Sequence, residues 1–447
     1  MSDAPLGRPS VTDRGALPPP GAEAAAHSRR LAEAIVAALD ASGGWLSFAE
    51  YMQLALYAPG LGYYAAGAGK FGEAGDFVTA PEISPLFTEV CAAEMDFVLR
   101  ALGGGEVLEL GPGTGRFAAG ALAEFRARGT PVDGYSLLEV SPDLRARQQA
   151  LLAGAEARGD AQGDAHGDAR GTGPRWLDSL PAPFRGVLFA NEVVDALPCE
   201  RFVMRGGAAW RLGVGRAAGM AIDEMRDDPA GATPVLEWRA RPADGACAGD
   251  AAFAAAMAQR LDELAAAGIA LPEGCCGEFH PQLAAWVASL AAALESGLLL
   301  FIDYGLPRRQ LLHPDRAMGS LRCHYRHHSH GDPFLWPGLQ DITAWVDFTA
   351  LAEAGVAAGL EVAGFTTHAG FLLGGGIEAR LAARLAAPAA DAGLGNPVGA
   401  AHAQLAQGVR RLLLPGEMGE AVKVMALAKD CDALPPAFAL QDLRRGL

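Results

Sequence analysis

The sequence predicts an α/β fold, a doubly wound, Rossmann-like sheet with an N-terminal helical segment and an inserted lobe. Three observations carry this. Short apolar runs alternate with helical patterns from about residue 105 to 205. The first run, Val107-Leu108-Glu109-Leu110, stops at the turn Gly111-Pro112-Gly113-Thr114-Gly115, and a helical pattern begins directly after it. The rhythm breaks after residue 206 and resumes at Leu298-Leu299-Leu300-Phe301-Ile302, too long a gap for an ordinary crossover.

Composition sets the outer limits. At 447 residues, half of them hydrophobic, the chain can bury a full core. A net charge of −16 disfavours nucleic acid as a partner and leaves a basic protein substrate open. The 7 cysteines are odd in number and scattered, which fits a reducing compartment without a disulfide framework. The run Leu298 to Ile302 is the longest strongly apolar stretch and is far too short to span a membrane. Residues 1–27 are expected to form a disordered tail, because Met1 to Gly21 is rich in Pro, Gly and polar residues. It has neither the apolar stretch of a secretion signal nor the Arg- and Ser-rich, acid-poor character of a transit peptide, so a cytoplasmic, bacterial protein is expected.

Residues 28–90 form the expected N-terminal helical segment. Leu31, Ile35, Ala38 and Leu39 share one helical face, and Ser47-Phe48-Ala49-Glu50 is a capping box opening a second helix. Tyr63-Tyr64 either packs this segment or stands exposed. The polar loop from Gly72 to Phe87 carries Asp76 and Glu82 and is expected to face a ligand, and Ser84-Pro85 starts the next helix.

The glycine-rich turn then narrows the ligand. A dinucleotide fingerprint needs Gly or Ala at position 116, where this chain has Arg116. The spacing present, Glu109, Gly111, Gly113, Gly115, resembles motif I of class I S-adenosyl-L-methionine-dependent methyltransferases. Glu139 ends the next strand 30 residues after Glu109, where an acid can accept both ribose hydroxyls of an adenosyl ligand. Asp178 ends a third short strand, where methyltransferases of this fold often contact the adenine amino group. The fourth strand, Gly186 to Ala190, runs into Asn191-Glu192-Val193-Val194-Asp195-Ala196-Leu197-Pro198, at the carboxyl end where a methyl acceptor is expected. Cofactor-binding roles therefore fall to Asp76, Glu109, Gly111, Gly113, Gly115, Glu139, Asp178 and Asn191.

Residues 91–205 and 296–429 make up the expected core, and 206–295 the inserted lobe. The Gly-Asp-Ala repeat between Arg158 and Gly173 reads as surface loop. Cys323, His324, His327, His328 and His330 invite a zinc site, yet no second ligand pair stands at a distance, so no metal is expected. Glu361 to Phe365 and Ala421 to Lys429 are further strands, and residues 430–447 a C-terminal tail.

Gly75 to Phe87, Glu109 to Gly115, Asn191 to Pro198, Phe301-Ile302-Asp303-Tyr304-Gly305 and Gln340 to Thr349 stand in this order along the chain. Together they resemble the MidA family of class I methyltransferases, which includes the mitochondrial complex I assembly factor, over roughly Leu31 to Lys429. The resemblance implies a seven-strand fold that binds S-adenosyl-L-methionine (SAM) and dimethylation of an arginine on the 49 kDa-type subunit of respiratory complex I. Trp345 departs from the family pattern and is given no role.

Methyl transfer to a guanidinium is chiefly a positioning task, because the acceptor starts with no free lone pair. Carboxylates can grip it through paired hydrogen bonds and take its proton as transfer proceeds. Glu192 and Asp195, directly after the fourth strand, are the expected catalytic pair, with Asp76, Asp303 and His330 behind them. Asp195 has an alternative, as the cap of a helix following that strand. Three other functions stay open at this point: an NAD(P)-dependent oxidoreductase, a SAM-binding assembly chaperone with little catalysis, and a small-molecule methyltransferase.

Overall fold

The computed structural model describes residues 17–66, 78–161, 173–216, 236–245, 249–386 and 397–447. Asp76, Cys247 and most of the Gly-Asp-Ala repeat lie outside them. The chain divides into two compact units.

One unit comprises Val78–Val194, Ala284–Leu306 and Phe348–Leu447. Its sheet contains β1 (Gly105–Leu110), β2 (Val132–Leu138), β3 (Pro174–Leu177), β4 (Phe184–Asn191), β5 (Leu294–Leu306), β6 (Glu361–Thr367) and β7 (Val422–Lys429). Their spatial order is β6-β7-β5-β4-β1-β2-β3. Neighbours are parallel except at β7, which runs antiparallel to both β5 and β6. This is the predicted doubly wound sheet. Val107, Leu108, Val187, Leu188, Leu298 and Ile302 are essentially inaccessible, as expected of parallel strands covered on both faces.

The helices on this sheet are α1 (Ala80–Ile83), α2 (Pro85–Leu102), α3 (Arg116–Arg128) and α4 (Pro142–Ala161), followed by others after β5. Ser84 caps α2 by accepting from the Leu86 N–H, Pro85 occupies its first turn, and left-handed Gly103 ends it. Phe117 of α3 stacks on Phe189 of β4 with ring centroids 4.2 Å apart, joining helix to sheet. The last residues are not a free tail. Phe438 packs edge-on against Phe371, Leu443 N–H donates to Phe365 O at 2.8 Å, and Gln441 Oε1 accepts from Thr366 and Thr367. They thereby satisfy part of the open edge of β6.

The other unit comprises Met1–Phe77, Asp195–Leu283 and Pro307–Asp347. Helix Ala22–Ala41 begins inside the expected tail, and Phe48–Tyr57 starts at the predicted capping box, with both Ser47–Glu50 bonds formed. An antiparallel sheet runs Trp45–Ser47, Ala208–Arg216, Glu200–Arg205, Cys276–Phe279, with Leu236–Arg241 also paired to Ala208–Arg216. Arg211 is buried in it between Glu200 and Asp250, so each buried charge meets an opposite one. The expected lobe is therefore part of a larger unit, since strand Trp45–Ser47 adds the N-terminal segment to the same sheet. His328–His330, Arg322–Tyr325 and Asp341–Thr343 form a three-stranded sheet from the histidine-rich loop. Among the described residues no helix is long and apolar enough to cross a membrane.

Candidate functional site

The strand order reverses between β1 and β4, and open α/β sheets hold ligands beyond the carboxyl ends of the strands at such a point. The glycine-rich turn sits there. Gly111, Gly113 and Gly115 have φ of +57°, +54° and +83°, a region that glycine enters without steric cost. A Cβ on Gly111 would meet Val193 at 3.0 Å and one on Gly115 would meet Gln148 at 3.1 Å, whereas one on Gly113 would point into open space. Helix α3 opens at Arg116 with no side-chain cap and no acid in its first turn, so its leading N–H groups are left to a ligand. Glu82 braces the turn, accepting the Thr114 hydroxyl and pairing with Arg116 Nε at 3.1 Å.

Glu139 follows β2 and is half-buried. Its Oε1 accepts from Ser141 N–H at 2.8 Å and its Oε2 from Gln148 Nε2 at 3.0 Å. The same Gln148 amide nitrogen donates to Gly113 O at 2.8 Å, and its Oε1 accepts from Trp176 Nε1 at 2.9 Å. Gln148 is completely buried and links the glycine turn to the acid, a role that nothing local in α4 announces. Val140, beside Glu139, is 72% exposed and offers an apolar surface next to a hydrogen-bond acceptor.

Two of the predicted ligand acids have other partners. Glu109 is buried and accepts the Tyr135 hydroxyl of β2 at 2.6 Å, and burial raises its carboxyl to about 8. Asp178 is exposed just past β3 and pairs with Arg145 of α4.

The turn after β4 is the second feature of the site. Glu192 has φ +53°, which for a non-glycine residue costs on the order of 1–3 kcal/mol. Its N–H donates to Ile302 O at 2.8 Å, and its Oε1 accepts from Ala80 N–H at 3.2 Å and Asn191 Nδ2 at 3.3 Å. Asn191 Oδ1 is buried with no hydrogen-bond partner among the described residues, a costly state that a ligand donor would relieve. Asp303 of β5 is buried and accepts from the Val193 and Val194 N–H groups through Oδ2, at 3.1 and 2.8 Å.

The remaining candidates belong to the other unit. Asp195 is buried there, with its carbonyl accepting from Ala344 N–H at 3.0 Å. Tyr64 donates its hydroxyl to Asp341 at 2.8 Å, and burial, reinforced by Asp341 and Asp195, raises its pKa. No helix follows β4, so the alternative role of Asp195 as a helix cap is not realised; a turn leads into strand Glu200–Arg205. His330 is buried and accepts from Asp332 N–H, and burial lowers His324 to about 4.

The uncapped start of α3, the open face at Gly113, the orphan Asn191 oxygen and half-buried Glu139 fit a ligand carrying carboxylate, ammonium and hydroxyl groups. The comparisons with known proteins agree. Over residues 88–366 the sequence matches the family of S-adenosyl-L-methionine-dependent methyltransferases. The mitochondrial protein arginine methyltransferase NDUFAF7 of Danio rerio is 29% identical over 392 residues, 84% of this chain and 82% of its own length. Its Mus musculus counterpart is 29% identical over 86% of this chain and 81% of its own. A Burkholderia thailandensis protein crystallised with S-adenosyl-homocysteine is 40% identical, covers 97% of this chain and 100% of its own, and superposes with a TM-score of 0.81. These likenesses retire the nicotinamide-dependent oxidoreductase.

Proposed function

Because this chain belongs to the family of S-adenosyl-L-methionine-dependent methyltransferases, we propose that it dimethylates an arginine of a protein, one subunit of respiratory complex I, in support of complex assembly. The name of the NDUFAF7 relatives supports arginine as acceptor, and the complex I partner rests on the resemblance of the ordered motifs to the MidA family. A neighbour from Burkholderia thailandensis supports a bacterial source, and the cytoplasmic location rests on the sequence reading alone.

S-adenosyl-L-methionine supplies an electrophilic methyl group on a sulfonium. In our reading Glu139 takes the ribose hydroxyls, Val140 the adenine face, and Gly111 to Gly115 with the start of α3 the carboxylate. Asn191 Oδ1 accepts from the ammonium. Glu192 orients the acceptor guanidinium and draws off its proton, and the observation that carries this is a half-buried carboxylate held in a strained turn at the carboxyl end of β4. Asp76 and Asp178 keep only the sequence argument for a cofactor role, and Asp195 that for a catalytic one. Glu109 acts from within the sheet as a support.

The test incubates the full chain and tritiated SAM with complex I from cells lacking the gene, followed by mass spectrometry of the labelled subunit. Dimethylarginine on a single complex I subunit is expected. Glu192→Gln should slow transfer by about 10²–10⁴-fold while SAM affinity by calorimetry stays within about twofold. Unchanged turnover removes Glu192 from the mechanism. Label on an acceptor outside complex I retires the complex I assignment, and SAM binding with no label on any protein points to the assembly chaperone.

A further inference from the structure

We infer that Asp303 is a positioning residue for methyl transfer, holding the left-handed turn that presents Glu192 to the acceptor; this rests on the role proposed for Glu192. Ile302 pairs with Asn191 in the β4–β5 ladder, so the end of β5 lies directly alongside the turn. Three consecutive turn N–H groups are received by two consecutive residues of β5: Glu192 N–H by Ile302 O at 2.8 Å, and the Val193 and Val194 N–H groups by Asp303 Oδ2. The second oxygen, Oδ1, accepts from Tyr304 N–H at 2.8 Å. With three backbone donors aimed at it and 1% exposure, this carboxylate is built to hold backbone, and it is ill suited to take a proton from substrate.

The residue type follows from that geometry. A carboxylate offers only acceptors, so both its oxygens suit a site lined by N–H groups. Asparagine would offer one oxygen and turn an NH₂ toward a donor. Losing the Oδ2 bonds releases Val193 and Val194, and with them the φ of +53° that sets the direction of the Glu192 side chain. A carboxylate displaced by about 1 Å can cost on the order of 100-fold in rate without weakening cofactor binding.

The experiment compares Asp303→Asn with wild type in the full chain, using tritiated SAM and, as acceptor, complex I from cells lacking the gene. We expect kcat to fall about 10- to 100-fold, with acceptor KM and SAM Kd each within about twofold. The loss should be non-additive with Glu192→Gln, the double variant being no more than about twofold slower than Glu192→Gln alone. An additive loss, an equal loss of SAM affinity or an unchanged kcat overturns the inference. If Asp303→Asn does not fold, Asp303→Glu, which keeps the charge, should show an intermediate kcat with SAM affinity intact, and wild-type kcat there overturns it. If wild type does not label this acceptor, the proposed function fails by itself and amide exchange decides. The Val193 and Val194 amides should then exchange at least about tenfold faster in the variant that folds while β4 amides stay unchanged, and equal rates overturn the inference.

Discussion

Two turns at the carboxyl ends of adjacent strands solve the same problem in opposite ways. The turn after β1 enters the left-handed region at Gly111, Gly113 and Gly115, whereas the turn after β4 places Glu192 there. Glycine costs conformational entropy, about 0.5–1 kcal/mol per residue, and leaves no side chain in the ligand's path. Glutamate costs more in strain, on the order of 1–3 kcal/mol, and keeps a carboxylate at the site. The second turn needs external restraint, and the two bonds to Asp303 are each worth about 1.5–3 kcal/mol because their acceptor is charged. That exceeds the strain. A backbone-only surface can thus be written in local sequence, while a reactive side chain in the same conformation has to be held from a neighbouring strand.

The largest test of this contrast removes the open face of the glycine turn. Among the described residues no heavy atom beyond the chain neighbours lies within 4 Å of a Cβ placed on Gly113, so the branch point of Gly113→Val has room there. A β-branched residue at φ +54° is strained, and its methyls would stand where the ligand approaches. SAM binding by calorimetry should weaken by at least about 100-fold, with the protein still folding cooperatively. Wild-type affinity would mean that the cofactor does not sit on this turn.

What could be read from the sequence follows the same division. The glycine turn, the Ser84-Pro85 cap and the Ser47–Glu50 box are short-range patterns: the glycines take left-handed backbone, and the cap and the box form their expected bonds. Gln148, the Asp303 clamp and the bond from Thr114 to Glu82 join residues far apart in the chain, and no local spacing encodes them. Asp195, three residues from Glu192 in sequence, falls in the other unit, with its carbonyl bonded to Ala344. The C-terminal residues, read as a tail, are held by isolated contacts of Phe438 and Leu443 that periodicity does not register.

A second test separates the acids of the two turns. Glu109, on the strand leading into the glycine turn, is buried against Tyr135, and burial raises its carboxyl from near 4.5 to about 8. The folded protein therefore holds a proton that the unfolded chain releases. That contribution to stability is fully present below pH 4.5 and is lost as the pH rises through about 8. Glu109→Gln is neutral throughout and still offers an oxygen to the Tyr135 hydroxyl. Urea unfolding should show the variant gaining on wild type across that window, by up to about 5 kcal/mol at pH 8.5, with the two converging near pH 4. A difference independent of pH would place a charged Glu109 in the native protein.

The smallest effect bears on the strained turn itself. Asparagine tolerates the left-handed region better than glutamate, so Glu192→Asn should relieve part of the strain at φ +53°. Against this stands the loss of the bond from Ala80 N–H, 3.2 Å long and worth about 0.5–1.5 kcal/mol. The two nearly cancel, and stability by urea unfolding should lie between unchanged and about 1 kcal/mol higher, while methyl transfer is lost. A drop of more than about 2 kcal/mol would show that the glutamate side chain is a structural keystone of the turn. Then the strain would have a folding explanation, and the contrast between a turn made for backbone approach and one made to present a carboxylate would not hold.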